Sequence, residues 1–243
     1  MPGPAAMLDV WERSLGLPVP RQIVALLAAA RPGTSEAEIE SLPLGARDAM
    51  LLDLRERLFG PELPTVTACP HCGEALEASF RIDEIRLPAA DPAGGPREIE
   101  AGAHRLRFRP PATADLLAIP ADADADAARA VLLERCVIEA RDRRGRGVAP
   151  AALPASLQPA LAEAMAEADP QALIELRLAC AACGRAFEAI FDIARFLLRE
   201  LHAWAQQMLR DVDSLARAYG WREADILALS PVRRRCYLDL VAR

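Results

Sequence analysis

Residues 63–85 read LPTVTACPHCGEALEASFRIDEI, and residues 174–196 read IELRLACAACGRAFEAIFDIARF. Laid against each other, they bring Cys69, Cys72, Gly73, Ala75, Glu77, Ala78, Phe80 and Ile82 onto Cys180, Cys183, Gly184, Ala186, Glu188, Ala189, Phe191 and Ile193 at a constant offset of 111 residues. After each CxxCG, apolar residues occupy every second position: Leu76, Ala78, Phe80 and Ile82 in one copy, Phe187, Ala189, Phe191 and Ile193 in the other. A period of two belongs to a strand with one buried face. Leu63–Thr67 and Ile174–Leu178 supply incoming strands, so each copy predicts a strand, a tight cysteine turn and a returning strand.

A CxxC turn delivers two thiolates from one bend, and zinc takes four tetrahedral ligands with sulfur about 2.3 Å from the metal. One pair is half a site, and the repeat supplies the other half. Cys69, Cys72, Cys180 and Cys183 are therefore expected to bind one structural zinc ion. The glycine after each pair permits a positive φ that turns backbone amides toward the sulfurs. Four protein ligands leave no open coordination position, so the metal should be architectural, joining distant segments for a few kcal/mol or more. A redox CxxC would instead open a helix, which lowers one thiol's pKa. Strand alternation follows both pairs here, which disfavours that reading. His71, inside the first pair, is expected to face solvent, and Cys136 and Cys236 lie in helical apolar sequence where an inert thiol is the common case.

Around these half-sites the chain divides into residues 1–62, a helical cap; 63–85, the first half-site hairpin; 86–172, an inserted α+β segment; 173–196, the second hairpin; and 197–243, a C-terminal helical segment. The fold class expected is α+β, mainly helical, with a small zinc-ribbon-like β unit built from the two hairpins. In the cap, Ser35 stands three residues before Glu38 at capping-box spacing, and Ala46–Phe59 predicts a helix closed by Gly60 and Pro61. The insert opens with a Pro- and Gly-rich linker, Leu87–Pro96. It continues with a hairpin around Gly102, a helix from Thr113 or Asp115, a helix over Ala127–Ala140, a loop at Arg141–Gly147 and a helix over Leu157–Ala168. Asp122, Asp124 and Asp126 lack the glycine and terminal glutamate of a calcium loop and read as a loop or helix start. Beyond Ala194, Phe196, Leu201, Trp204, Met208, Val212, Leu215 and Tyr219 form an apolar stripe, Gly220 is its stop, and Ser230-Pro231 opens a last helix.

The chain has 243 residues with 52% hydrophobic side chains, enough for a buried core. Its longest apolar run, Ile23–Ala30, is far short of the roughly 20 residues a membrane helix needs. Trp11 and Glu12 precede the first basic residue, Arg13, so no signal peptide is expected and a cytoplasmic location is. The net charge of −6 disfavours nucleic acid or anionic lipid as a partner. There is no phosphate-binding Gly loop, no HExxH and no GxSxG, and His104 and His202 have no acidic partner at a recognisable spacing. No enzyme activity and no small-molecule substrate are expected.

From Leu197 onward eight arginines meet six carboxylates, which makes this segment basic in an acidic chain. Trp204, Tyr219, Trp221 and Tyr237 also fall here, and aromatic and Arg side chains dominate binding energy at interfaces. Trp204 and Tyr219 lie on the stripe and suit a core. Trp221, Arg233, Arg234, Arg235 and Tyr237 lie at or beyond the helix break and are the expected partner-binding residues.

Cys180-Ala-Ala-Cys-Gly running into Phe191-Asp-Ile-Ala-Arg-Phe-Leu, followed by Ala218-Tyr-Gly-Trp-Arg-Glu-Ala-Asp-Ile-Leu-Ala-Leu-Ser-Pro and Arg233-Arg-Arg-Cys-Tyr-Leu, resembles the baseplate-hub assembly chaperones of T-even-type phages and their relatives in contractile injection systems. The resemblance covers the chain from about Ile174 onward, and the first CxxC region in outline. It implies an accessory protein that helps build a contractile-tail baseplate, with baseplate or hub proteins as partners and no catalytic residues. A zinc-ribbon adaptor for nucleic acid or the transcription machinery is the alternative; it would need a basic face beside the metal, where the hairpins offer only Arg81, Arg177 and Arg185 among acids. A thiol oxidoreductase is the third possibility.

Overall fold

A computed structural model describes residues 3–87 and 95–242. In chain order the helices and strands are α1 (Pro4–Ser14), α2 (Val19–Ala30), α3 (Glu36–Ser41), α4 (Leu44–Phe59), β1 (Glu62–Ala68), β2 (Ala75–Arg81), α5 (Ile82–Ile85), β3 (Arg97–Ala101), β4 (His104–Phe108), α6 (Thr113–Leu117), α7 (Ala125–Cys136), β5 (Val137–Asp142), α8 (Gln158–Ala168), β6 (Ile174–Ala179), β7 (Ala186–Phe191), α9 (Ile193–Tyr219), α10 (Glu223–Leu227) and α11 (Pro231–Val241). Helices predominate beside small antiparallel sheets, an α+β protein as expected. Most of the linker read at Leu87–Pro96 lies outside the described residues.

The chain forms two compact units, residues 37–193 and residues 1–36 with 194–243. In the first, β3, β4 and β5 make a three-stranded sheet, and β1–β2 and β6–β7 are separate hairpins. Leu106 and Phe108 of β4, Val137 and Ala140 of β5, and Leu161 and Ala168 of α8 form a buried cluster, with Ile99, Leu133 and Met165 packed against it. The sheet thus buries one face under a helix, the arrangement an alternating strand pattern demands.

One expectation fails in this unit. The helix read over Ala127–Ala140 ends at Cys136, and Val137–Asp142 is a strand paired antiparallel to β4, Leu106 opposite Ala140 and Phe108 opposite Val137. The segment alternates buried Val137, exposed Ile138 and buried Ala140. A β-branched pair suits a pleated surface, and the open edge of β4 supplies the ladder that a helix would forgo. The loop read at Arg141–Gly147 accordingly begins later, with a turn at Gly145 (φ 76°). Asp124 is a helix cap, its carboxylate accepting from the Asp126 and Ala127 amides at 3.0 and 2.8 Å.

Two buried polar knots fix the unit. Asp115, wholly buried, accepts from Arg109 Nη1 and Nη2 (2.6 and 2.9 Å), Arg135 Nε (2.8 Å) and the Ala112 amide (2.8 Å). Against the cost of burial, these donors hold its carboxyl well below the usual carboxylate range. The neighbouring Cys136 thiol is pushed up to about 11 by burial and by the Asp115 charge. In the second knot the Gly45 amide, in the first turn of α4, donates to Asp169 Oδ2 at 2.7 Å. A Cβ at Gly45 would stand 2.0 Å from Asp169 Oδ1, so only glycine admits this approach.

In the second unit Leu8 of α1, Ala205 and Met208 of α9 and Leu227 of α10 form a buried cluster, joined by Trp11, Trp204 and Val212. Trp11 Nε1 donates to His202 Nδ1 at 3.1 Å. The stripe on α9 ends at Gly220 (φ 67°), a left-handed stop, and α11 begins where the Ser230 hydroxyl accepts from the Arg233 amide at 3.2 Å.

Candidate metal centre

The two cysteine hairpins have one construction. In the first, Ala68 pairs with Ala75 and the turn closes with the Cys69 amide on the Glu74 carbonyl (2.8 Å) and the Gly73 amide on the Cys69 carbonyl (2.9 Å). In the second, Ala179 pairs with Ala186, the Cys180 amide meets the Arg185 carbonyl (2.9 Å), and the Gly184 amide meets the Cys180 carbonyl (2.8 Å). Gly73 and Gly184 have φ of 78° and 72°, which the turn requires and other residues adopt at a cost. Each turn buries its first cysteine and exposes its second.

The turns meet through their thiols. Cys69 Sγ lies 3.8 Å from Cys183 Sγ, and Cys72 Sγ lies 3.6 Å from Cys180 Sγ. All four sulfurs fall within 4.8 Å of one another. Four thiolates about 2.3 Å from a tetrahedral ion stand about 3.8 Å apart along each edge of the tetrahedron. A disulfide would need about 2.05 Å. The four cysteines can therefore hold a metal ion, and four ligands would close its coordination shell.

The thiols are electrostatically unequal. Burial raises Cys69, but hydrogen bonds from the His71 and Cys72 amides and from the Cys72 and Cys180 thiols outweigh it and bring Cys69 down to about 6. Cys72 goes the other way, up to about 12: the Glu74 amide favours its thiolate, while burial and the three other sulfurs disfavour it. Four sulfurs crowded together cannot all carry charge without a cation among them, which explains the split. The His71 side chain is exposed, and this residue contributes its backbone amide at 3.4 Å from Cys69 Sγ.

The basic residues of the hairpins are mostly balanced. Arg81 pairs with Glu62 (2.9 Å) and Asp83 (3.0 Å), and Arg177 with Glu188 (3.3 Å).

The expected partner-binding residues separate into two groups. Trp221 stacks on Tyr219 (4.7 Å, 21°) and meets the edge of Tyr237 (4.8 Å, 88°). Arg233 and Arg235 are exposed, the latter beside Asp239 (3.0 Å). Arg234 is buried, with Nε on Asp211 Oδ2 at 3.2 Å, unlike its exposed neighbours. Sequence reading missed Asp211, whose signal was a carboxylate between Met208, Val212 and Leu215 on the apolar stripe.

Fold and site together define a mixed helical and sheet protein whose paired hairpins form a four-thiol centre able to hold one metal ion. The chain belongs to the family of the T4 bacteriophage base plate protein, whose profile matches residues 22–147, just over half of the chain. That span runs from α2 through the first cysteine hairpin to the turn after β5; it does not reach Cys180, Cys183 or the C-terminal residues in which the sequence resemblance was seen. No curated protein and no solved structure matches the chain. Among the described residues no helix is long and apolar enough to cross a membrane.

Proposed function

We propose that this protein is an accessory factor for assembly of a contractile-tail or injection-system baseplate, of the hub assembly type, acting by binding baseplate proteins and not by catalysis. The family membership carries the reading. One zinc ion on Cys69, Cys72, Cys180 and Cys183 holds the paired hairpins in a ribbon-like unit, which the tetrahedral spacing of the sulfurs supports. A closed thiolate shell offers no position for substrate or water, so its contribution is to shape. The exposed Arg233 and Arg235 with Trp221 and Tyr237 are the docking residues in this reading. A nucleic-acid adaptor is less well supported, because Arg81 and Arg177 are neutralised by their own carboxylates.

The test is co-expression with the baseplate proteins of a contractile tail, followed by affinity purification. Wild-type chain should retain them, and Arg233→Glu with Arg235→Glu should release them with melting temperature and metal content unchanged. Retention by the double variant at wild-type level removes the docking assignment, and failure of the wild type to retain any baseplate protein removes the assembly role.

A further inference from the structure

The groove between α9 and α11 holds about 740 Å³ and is lined by Gln207, Arg210, Asp211 and Ser214 on one side and Pro231, Arg234, Arg235, Leu238 and Asp239 on the other. A chain of hydrogen bonds crosses it. Arg210 Nη2 donates to Gln207 Oε1 (2.9 Å), Gln207 Nε2 donates to Asp211 Oδ1 (2.8 Å), and Arg234 Nε donates to Asp211 Oδ2 (3.2 Å). Both Asp211 oxygens are thereby used. The Arg234 side chain is only 10% exposed, yet its buried Nη1 has no acceptor among the described residues. An ionised group with an unmatched donor in such a place is costly, and it is the kind of group a ligand satisfies.

The charge balance says which ligand. Arg210, Arg234 and Arg235 face Asp211 and Asp239, an excess of one positive charge, and the hydrogen-bonding partner of Arg210 is a neutral amide. One carboxylate restores neutrality and accepts a charge-assisted hydrogen bond from a guanidinium. Duplex nucleic acid would meet a single excess positive charge, whereas proteins that bind it ordinarily neutralise several of its phosphates. Leu238, Val241 and Ala242 in the same lining offer apolar contact beside the charge.

We propose that this groove docks a peptide segment of a partner protein that carries an acidic side chain among apolar ones, its carboxylate held by Arg234 and Arg210. The inference rests on the protein-binding role proposed above and adds the chemistry of the partner.

The full chain would be titrated, by fluorescence anisotropy, with a labelled peptide alternating Glu and Val, with its Gln-for-Glu counterpart, and with a short DNA duplex. Binding of the Glu peptide should weaken with added salt and exceed that of the Gln peptide at least about tenfold. Arg210→Gln, an exposed substitution that leaves folding alone, should weaken it severalfold. Asp211→Leu with Arg234→Met, which exchanges the buried pair for apolar groups of similar size, should weaken it about tenfold or more. Arg217→Gln, elsewhere on α9, should not change it. Equal binding of the Glu and Gln peptides, wild-type binding by Arg210→Gln, or preferential binding of DNA overturns the proposal. Wild-type chain that retains baseplate proteins while Arg210→Gln retains them equally overturns the groove alone. Wild-type chain that retains none overturns the assembly role itself.

Discussion

Cys72 Sγ stands 3.6 Å from Cys180 Sγ although the two are 108 positions apart in the chain. Two local hairpins, each marginal alone in water, are thereby brought to one point. A metal ion held there would tie together the first and second hairpins and close the loop that carries the three-stranded sheet.

Metal analysis of protein purified without chelator should therefore return one zinc per chain, since two half-sites make one tetrahedral site. Two equivalents, or none, would contradict the arrangement. Cys69→Ser with Cys180→Ser should lose the metal and lower the melting temperature by roughly 10 °C or more, a loss of a few kcal/mol. An unchanged melting curve would show the metal to be dispensable for the fold.

Gly45→Ala should destabilise the unit of residues 37–193 by roughly 1–3 kcal/mol in chemical denaturation, because the new methyl displaces the Asp169 carboxylate from the Gly45 amide. Gly147→Ala, in the same unit, with open space around its Cβ and no positive φ, is the control expected to change stability far less.

Removing the Asp115 carboxylate by Asp115→Ala should cost roughly 3–5 kcal/mol, since Arg109, Arg135 and the Ala112 amide lose their common acceptor. Arg105→Ala, which breaks only the exposed pair with Glu100, should change stability far less, because water already screens that pair. Equal effects from the two would show that burial does not set the worth of these pairs.

Asp48 gives stability a pH dependence of identifiable sign. Burial raises its pKa to about 6, against the opposing pull of Arg47, with Asp192 and Asp169 adding to the rise. The folded chain thus holds a proton that the unfolded chain releases near pH 4. Its contribution is fully present below about pH 4 and is lost as pH rises through about 6. Denaturation midpoints of wild type and Asp48→Asn, compared between these limits, should show a downward slope with rising pH that the variant lacks.

Much of the four-thiol site was legible in the chain because its signals are local. Alternation after each CxxCG specifies which face of a hairpin is turned inward, and Gly73 and Gly184 specify the left-handed backbone that closes each turn. A repeat at constant offset then says that two such turns have the same form. The caps at Asp124 and Ser230 and the stop at Gly220 were readable for the same reason, since each acts within a few residues of itself.

Other features were decided only in three dimensions. Val137–Ala140 continues a helical pattern in sequence, and only the open edge of β4 makes it a strand. Arg233, Arg234 and Arg235 are alike as letters, yet helix periodicity and a carboxylate on α9 turn the middle one inward and leave its neighbours in solvent. Asp115, Gly45 and Asp169 likewise owe their roles to partners far along the chain. Sequence determines backbone preference and the periodicity of faces because those depend on near neighbours. Which charge is buried, and against what, depends on segments that only folding brings together.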